Sequence, residues 1–274
     1  MSAQILDGKL LAQQLKNSLS AEVSVLKAKT GKSIRVVSII VGNDPSSQSY
    51  TLSQQRTAES IGIQYELQSL KADIPAQEFL DFIINLNNFS DVHGIIINKP
   101  LPAHLDFKTA VNAIDPHKDI EGMNLCTPAA AIALLKSSGV DLAGKEAIVV
   151  GRSDIVGKPV ALLLLNENVT VTICHSATSQ AGKLEEHLKR ADIVIAAIGK
   201  PRFVKGDWIK KGAIVIDVGI NQVGDKIVGD VDYDSCVGVA GFITPVPGGV
   251  GPVTSVILMK NALEAYRKQL CLPR

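Results

Sequence analysis

The sequence predicts an α/β protein of two domains, the second a Rossmann-type parallel sheet. Three observations predict it. β-branched runs (IRVVSIIV, AIVV, VTVTIC, ADIVIAA, GAIVID) alternate with helical stretches along the whole chain. With 274 residues, 46% of them hydrophobic, there is apolar mass for more than one core. A polar, non-repetitive segment, DPHKDIEGMN (115–124), joins two such alternations. The expected domains are residues 1–120 and residues 121–254.

Taken in order, Leu10, Leu11, Gln14, Leu15 and Leu19 mark a first amphipathic helix. Ile34–Gly42 reads as a strand ending in glycine. The NDPSS that follows supplies a turn and a helix cap. The next helix, Ser49–Ile63, is apolar only in its second half. Ser47, Tyr50 and Gln54, spaced i, i+3, i+7, can share one face that carries no group titrating near neutrality. A strand over Gln64–Leu70, a helix over Ala76–Leu86 and a buried strand Gly94–Ile97 follow, the last running into NKPLP. Ser47–Gln54 and Asn98–Pro102 both lie just after strands, where ligands collect in open parallel sheets.

The second domain is expected to open with an apolar helix, TPAAAIALLKSSG, with Pro128 in its first turn. Strand AIVV then meets a glycine loop, a helix, and a second strand, VTVTIC. ADIVIAAIG and GAIVIDVGIN add two strands, and VGVAG (237–241) reads as a fifth.

Composition excludes several classes. Net charge is +1, with no Lys/Arg block interleaved with aromatics, so no nucleic-acid partner is expected. The longest apolar runs, such as VALLLL (160–165), are too short to span a bilayer, and the N-terminal stretch lacks a signal-peptide core. Cys126, Cys174, Cys236 and Cys271 form no CxxC pair, and the histidines show no ligand spacing. Reduced thiols in a cytoplasmic protein without a metal are expected.

In GRSDIVGKP, Gly151 allows a tight turn, Gly157 allows close approach of helix to sheet, and the helix N-terminus offers N–H groups to a phosphate. Glycines six apart also serve plain packing, and both readings stand. The second strand ends in Cys174-His175-Ser176, without the acid that would hold a ribose 2′-OH. With Arg152 nearby, a 2′-phosphate fits better, which favours NADP over NAD. ITPVPGGVGPVTS (243–255) fixes a backbone shape free of side chains, as a ligand-wrapping loop or a rigid connector. In KDIEG (118–122), Asp119 and Glu121 could serve as acid and base or belong to a solvated loop. His175 suits cofactor contact or packing better than catalysis.

VGNDPSSQSY, GRSDIVGKP, CHS, DVGIN, GDVD and TPVPGGVGP, in this order, resemble the bifunctional methylenetetrahydrofolate dehydrogenase/methenyltetrahydrofolate cyclohydrolase family over essentially the full length. The resemblance implies a folate-side domain completed by a C-terminal helix over 255–274, an NADP domain, a cleft flanked by the two, and a cytoplasmic homodimer acting on a one-carbon tetrahydrofolate derivative. It implies Tyr50 as the residue stacking on folate, with Ser47 and Pro100 beside it. It implies Gly249 in the folate-side loop, and Gly151, Arg152, Ser153, His175 and Ser176 on the cofactor phosphates and ribose. Ile220 and Thr254 would lie at the nicotinamide end.

Three positions depart from the family pattern. Gln54 stands where the family lysine drives the cyclohydrolase step, Asn98 where it has a supporting glutamine, and Glu121 where it has the pterin-binding aspartate. An amide can hydrogen-bond but takes no proton near neutrality. The expected activity is therefore NADP-dependent oxidation of 5,10-methylenetetrahydrofolate with weak or absent cyclohydrolase activity. Its rivals are an oxidoreductase for another pterin or one-carbon carrier and a non-catalytic binding paralogue.

Overall fold

The computed structural model describes residues 2–122 and 125–272, apart from the Ser46 side chain. Met123 and Asn124, which end the polar connecting segment, lie outside the described residues. The chain forms β1 (Gln4–Ile5), α1 (Gly8–Thr30), β2 (Arg35–Val41), α2 (Pro45–Ile61), β3 (Gln64–Leu70), α3 (Ala76–Asn88), β4 (Gly94–Ile97), α4 (Phe107–Asn112) and α5 (Cys126–Ser137). It continues through β5 (Glu146–Val150), α6 (Gly157–Asn166), β6 (Thr170–Cys174), α7 (Ser176–Gln180), α8 (Leu184–Arg190), β7 (Ile193–Ala196) and β8 (Ile214–Asp217). A hairpin of β9 (Asn221–Val223) and β10 (Lys226–Val228), then α9 (Tyr233–Cys236), β11 (Phe242–Ile243) and α10 (Val250–Gln269) complete it.

Two compact units result. The small-sheet unit takes residues 14–124 and 255–274. Its parallel sheet has the order β3-β2-β4. α2 begins where it does because Asp44, in extended conformation, accepts the Ser47 N–H at 2.8 Å and Pro45 follows it. It ends at Gly62, whose φ of 90° terminates the helix. Phe79, Ile83 and Leu86 of α3 pack on Val37, Ile39, Val41, Ile95 and Ile97 of the sheet. Each such side chain contributes roughly 1.5–3 kcal/mol by leaving water. Lys118 is buried, and its Nζ donates to the carbonyls of Asn87 and Phe89 at 2.7 Å, closing the end of α3. The C-terminal stretch joins this unit through the buried Tyr266, whose hydroxyl lies 2.6 Å from Thr30 Oγ1, and through Asn261 Nδ2, which donates to Ile120 O at 2.8 Å.

The large-sheet unit takes residues 1–13 and 125–254. Its sheet has the order β1-β11-β8-β7-β5-β6, and all its pairings are parallel. From β5 the chain passes to β6 on one side, then returns to β7 on the other, so the strand order reverses at β5. The C-terminal ends of the strands at such a reversal are where open α/β sheets hold ligands.

Two expectations need correction. Residues 1–13 belong to the large-sheet unit, because Gln4 pairs with Phe242 and Ile5 with Ile243. VGVAG is not a strand. It is the turn that ends α9, with the Val239 N–H donating to Cys236 O. Val237 and Val239 pack on the core from the turn, so alternating apolar residues here mark burial and not extension. The outer strand is Phe242–Ile243. Among the described residues, no helix is long and apolar enough to cross a membrane, and no group of His, Cys, Asp and Glu could hold a metal ion.

Candidate active site

In the small-sheet unit, one face of the polar half of α2 is turned inward. Ser47, Thr51 and Gln54 are buried, whereas Tyr50 is 40% exposed and offers a ring face. Ser47 Oγ donates to Lys99 O at 2.7 Å, tying the helix start to the segment after β4. Pro100 is exposed and follows a cis Lys99–Pro100 peptide. Lys99 Nζ lies 3.8 Å from the centroid of the Phe107 ring.

Gln54 is 0% exposed, and its Oε1 accepts the Tyr65 hydroxyl proton at 2.6 Å. Asn98 is also buried, and its Nδ2 donates to Ser38 Oγ at 2.7 Å and to Ile39 O at 3.1 Å. The Ser38 hydroxyl in turn acts on the Tyr65 phenol, favouring its ionised form. Burial pushes the Tyr65 phenol well above its ordinary value; Ser38 opposes this, and Tyr50 and Glu121 add to it. Glu121 is therefore electrostatically coupled to this cluster. Its carboxyl is raised to about 7, first by burial and then by Asp119, with Lys99 opposing. Asp119 is otherwise engaged, since its Oδ1 accepts the Gly122 N–H at 2.9 Å.

Ser47, Gln54 and Asn98 thus sit in one polar cluster, with Tyr50 and Glu121 coupled to it. Tyr65 and Ser38 escaped the sequence reading. Ser38 carried a signal, a lone hydroxyl inside the apolar run RVVSIIV, where a buried polar group must find a partner. Tyr65 carried none, because QYELQSL reads as an ordinary alternating strand.

In the large-sheet unit, the loops after β5, β6, β7 and β8 share one edge. Gly151 has φ 127°, and a Cβ there would stand 2.1 Å from Ala197 O. A Cβ on Gly157 would stand 2.3 Å from Gly151 O. The loop backbone is therefore drawn tight against the sheet and the first turn of α6. Ser153 Oγ accepts the N–H groups of Val156 and Gly157 at 3.2 and 3.3 Å, and Arg152 is exposed beside it. The Gly151 N–H donates to Cys174 O, placing His175 and the exposed Ser176 next to the glycine loop. The His175 N–H donates to Thr178 Oγ1 at 3.2 Å.

Ile220, 69% exposed, and the buried Gly249 line one hollow together with Lys9, Val218 and Pro245. Gly249 is packed so closely that a Cβ would meet Pro245 O at 2.6 Å. Thr254 is buried, and its Oγ1 donates to Val250 O of its own helix at 3.1 Å.

A strand-order reversal with a glycine loop, a helix N-terminus and no acid at the end of the next strand defines a dinucleotide-binding α/β protein with a second α/β unit. The comparisons with known proteins narrow this class. Residues 6–121 match the model of the tetrahydrofolate dehydrogenase/cyclohydrolase catalytic domain, and residues 125–270 match that of the NAD(P)-binding domain. The chain is 47% identical to the bifunctional protein FolD of Moorella thermoacetica, over 98% of this chain and all of that one. It superposes with a TM-score of 0.93 on the Trypanosoma brucei methylenetetrahydrofolate dehydrogenase-cyclohydrolase complexed with NADP and an inhibitor, at 36% identity over 98% and 99% of the two chains. A silkworm (Bombyx mori) 5,10-methylenetetrahydrofolate dehydrogenase gives a TM-score of 0.92 at 36% identity, over 98% and 99%. The chain belongs to the tetrahydrofolate dehydrogenase/cyclohydrolase family.

Proposed function

We infer that this chain is an NADP-dependent 5,10-methylenetetrahydrofolate dehydrogenase whose cyclohydrolase activity is weak or absent. The observation that carries the second half is position 54. A fully buried amide stands there, its oxygen already taken by Tyr65. It can neither take up a proton near neutrality nor act as a base.

Hydride transfer asks mainly for alignment. Tyr50 offers its exposed ring for stacking on the pterin, Ser47 and Pro100 shape the adjoining wall, and Glu121 addresses the pterin edge. The nicotinamide, when bound, accepts the hydride. The tight backbone at Gly151 and Gly157 suits a pyrophosphate at the α6 N-terminus, with Ser153 beside it. Arg152, His175 and Ser176 suit a 2′-phosphate. Ile220, Gly249 and Thr254 are assigned to the reacting end. A homodimer through the large-sheet unit is supported by the exposed Ile155, Leu162, Leu165 and Ile173 on the β6–α6 side. The four cysteines form no disulfide, which supports a cytoplasmic location.

A second reading rests on Glu121. A carboxyl raised to about 7 holds or releases a proton near neutrality, so it could activate water in place of the missing amine. Parallel assays of the unmodified protein test both readings, one following formation of the reduced cofactor and one the loss of methenyltetrahydrofolate absorbance. Oxidation with little hydrolysis is expected. Hydrolysis as fast as oxidation overturns the monofunctional reading, and its loss in Glu121→Gln then assigns the base.

A further inference from the structure

The polar cluster on the small sheet has a direction. Ile39 O is a backbone carbonyl and can only accept, so the nitrogen of Asn98 must face it. The same nitrogen donates to Ser38 Oγ, so the Ser38 proton is left for another acceptor, and Ser38 favours the ionised form of the Tyr65 phenol. The Tyr65 proton then goes to Gln54 Oε1. Each donor fixes the next, and the amide orientations follow from this network.

The chain ends in a surplus. Gln54 Nε2 is buried and has no hydrogen-bond partner among the described residues. Unpaired buried donors are rare, because each forfeits the hydration it left behind. Here the surplus is enforced, because Tyr65 holds the oxygen side of the amide and keeps the nitrogen turned the other way. Tyr50 and Glu121, the residues assigned to the pterin, are electrostatic neighbours of the same phenol.

We propose that Tyr65 is a positioning residue of the folate site. Through Asn98, Ser38 and Tyr65 the fold presents the Gln54 NH2 group as a fixed donor to a neutral acceptor, a carbonyl oxygen or ring nitrogen of the bound pterin. The proposal rests on the folate reading above. It makes Gln54 a built recognition group, where an ammonium would have been a mobile charge. It also gives Asn98 a task its position did not suggest, since Asn98 sets the polarity from two residues away.

Nitrogen labelling of glutamine side chains in the full-length protein tests this. Loss of one resonance in Gln54→Met assigns the Gln54 amide. On titration with tetrahydrofolate that resonance should shift, whereas NADP alone should leave it in place. Tyr65→Phe should shift it in the ligand-free protein and raise the KM for methylenetetrahydrofolate about tenfold, the effect of one unpaired buried group, with the KM for NADP unchanged. Gln54→Glu keeps the acceptor for Tyr65 and loses the donor, so it should share the folate defect. If tetrahydrofolate saturates the protein and the Gln54 resonance stays still, the proposal is wrong while the dehydrogenase reading survives. If no tetrahydrofolate binds, the dehydrogenase reading itself fails. The ligand-free comparison then decides the positioning role, which falls if Tyr65→Phe leaves the Gln54 amide unmoved. Should Tyr65→Phe not fold, the titration of the unmodified protein is decisive alone.

Discussion

The two units bury polar groups for opposite ends. In the large-sheet unit, Asp217 accepts the N–H groups of Gly219, Asp230 and Val231 at 2.9–3.0 Å. Asp230 accepts those of Ile198, Gly199 and Lys200 at 2.6–3.0 Å, and Asn221 Nδ2 at 2.9 Å. These carboxylates pin the loops after β7 and β8 to one another and leave both oxygens occupied. In the small-sheet unit, the buried groups of the α2 cluster are neutral amides and hydroxyls joined in a line with one donor left over. A saturated network holds a shape, whereas one short of a single partner is shaped for something that arrives later.

Asp230→Ala should show the largest effect. It strips a fully buried carboxylate from three backbone N–H groups and should destabilise the large-sheet unit by about 3–5 kcal/mol. Urea unfolding followed by Trp208, the single tryptophan, reads this directly. A midpoint unchanged from the parent would end the contrast drawn above.

Acid separates the units next. Burial lowers the His93 imidazole to about 4 from 6.5. As pH falls through 6.5, the unfolded chain takes a proton that the folded chain refuses. Stability is therefore lost between pH 6.5 and 4, by up to about 3 kcal/mol. Asp217 has the reverse sign. Raised by burial to about 6, it contributes fully below 3.8 and loses that contribution as pH rises through 6. Glu121 also opposes His93 within its own unit, so the quantity to measure is the difference between parent and His93→Gln. The variant should lack the acid loss assigned to His93, and parallel pH curves would remove the assignment.

A smaller effect is expected at the cofactor. Arg152→Ala should weaken NADP binding by roughly 1.5–3 kcal/mol, the range of a charged hydrogen bond, and leave NAD nearly untouched. Calorimetric titration of both cofactors gives the ratio, and equal losses would reassign Arg152 to general charge.

The smallest effect is the most telling. Removing both ends of a buried hydrogen bond can be nearly neutral. Gln54→Leu with Tyr65→Phe should change folding stability by no more than about 1 kcal/mol while weakening folate binding about tenfold. A loss comparable to Asp230→Ala would mean that the small-sheet network, too, serves only the fold.

Much of this was legible in the sequence because the local signals agreed. Asp44-Pro45 before α2 and β-branched runs at β2, β5, β6, β7 and β8 each point to the element found, whereas the helix expected to Ile63 stops at the left-handed Gly62. Where the reading failed, the decisive contact was remote. Gln4–Ile5 is too short to carry periodicity, and its strand exists only through residues 242–243. VGVAG has the period of a strand and the fate of a turn. Departure at Gln54 and Asn98 was visible residue by residue, but their linkage through Ser38 and Tyr65 needs the lateral neighbours that only the sheet supplies.

The pairing of β1 with β11 also bears on how the protein is made. Residues 4–5 leave the ribosome well before their partners, 242–243, which lie more than two hundred residues further along the chain. The small-sheet unit waits as well, since Asn261 and Tyr266 must return to Ile120 and Thr30. Neither core can close domain by domain as synthesis proceeds. Both depend on contacts of long sequence separation, the kind that slows folding and prolongs exposure of apolar strands. The nascent chain therefore carries one unfinished sheet and two unfinished cores until residues 242–266 have been made.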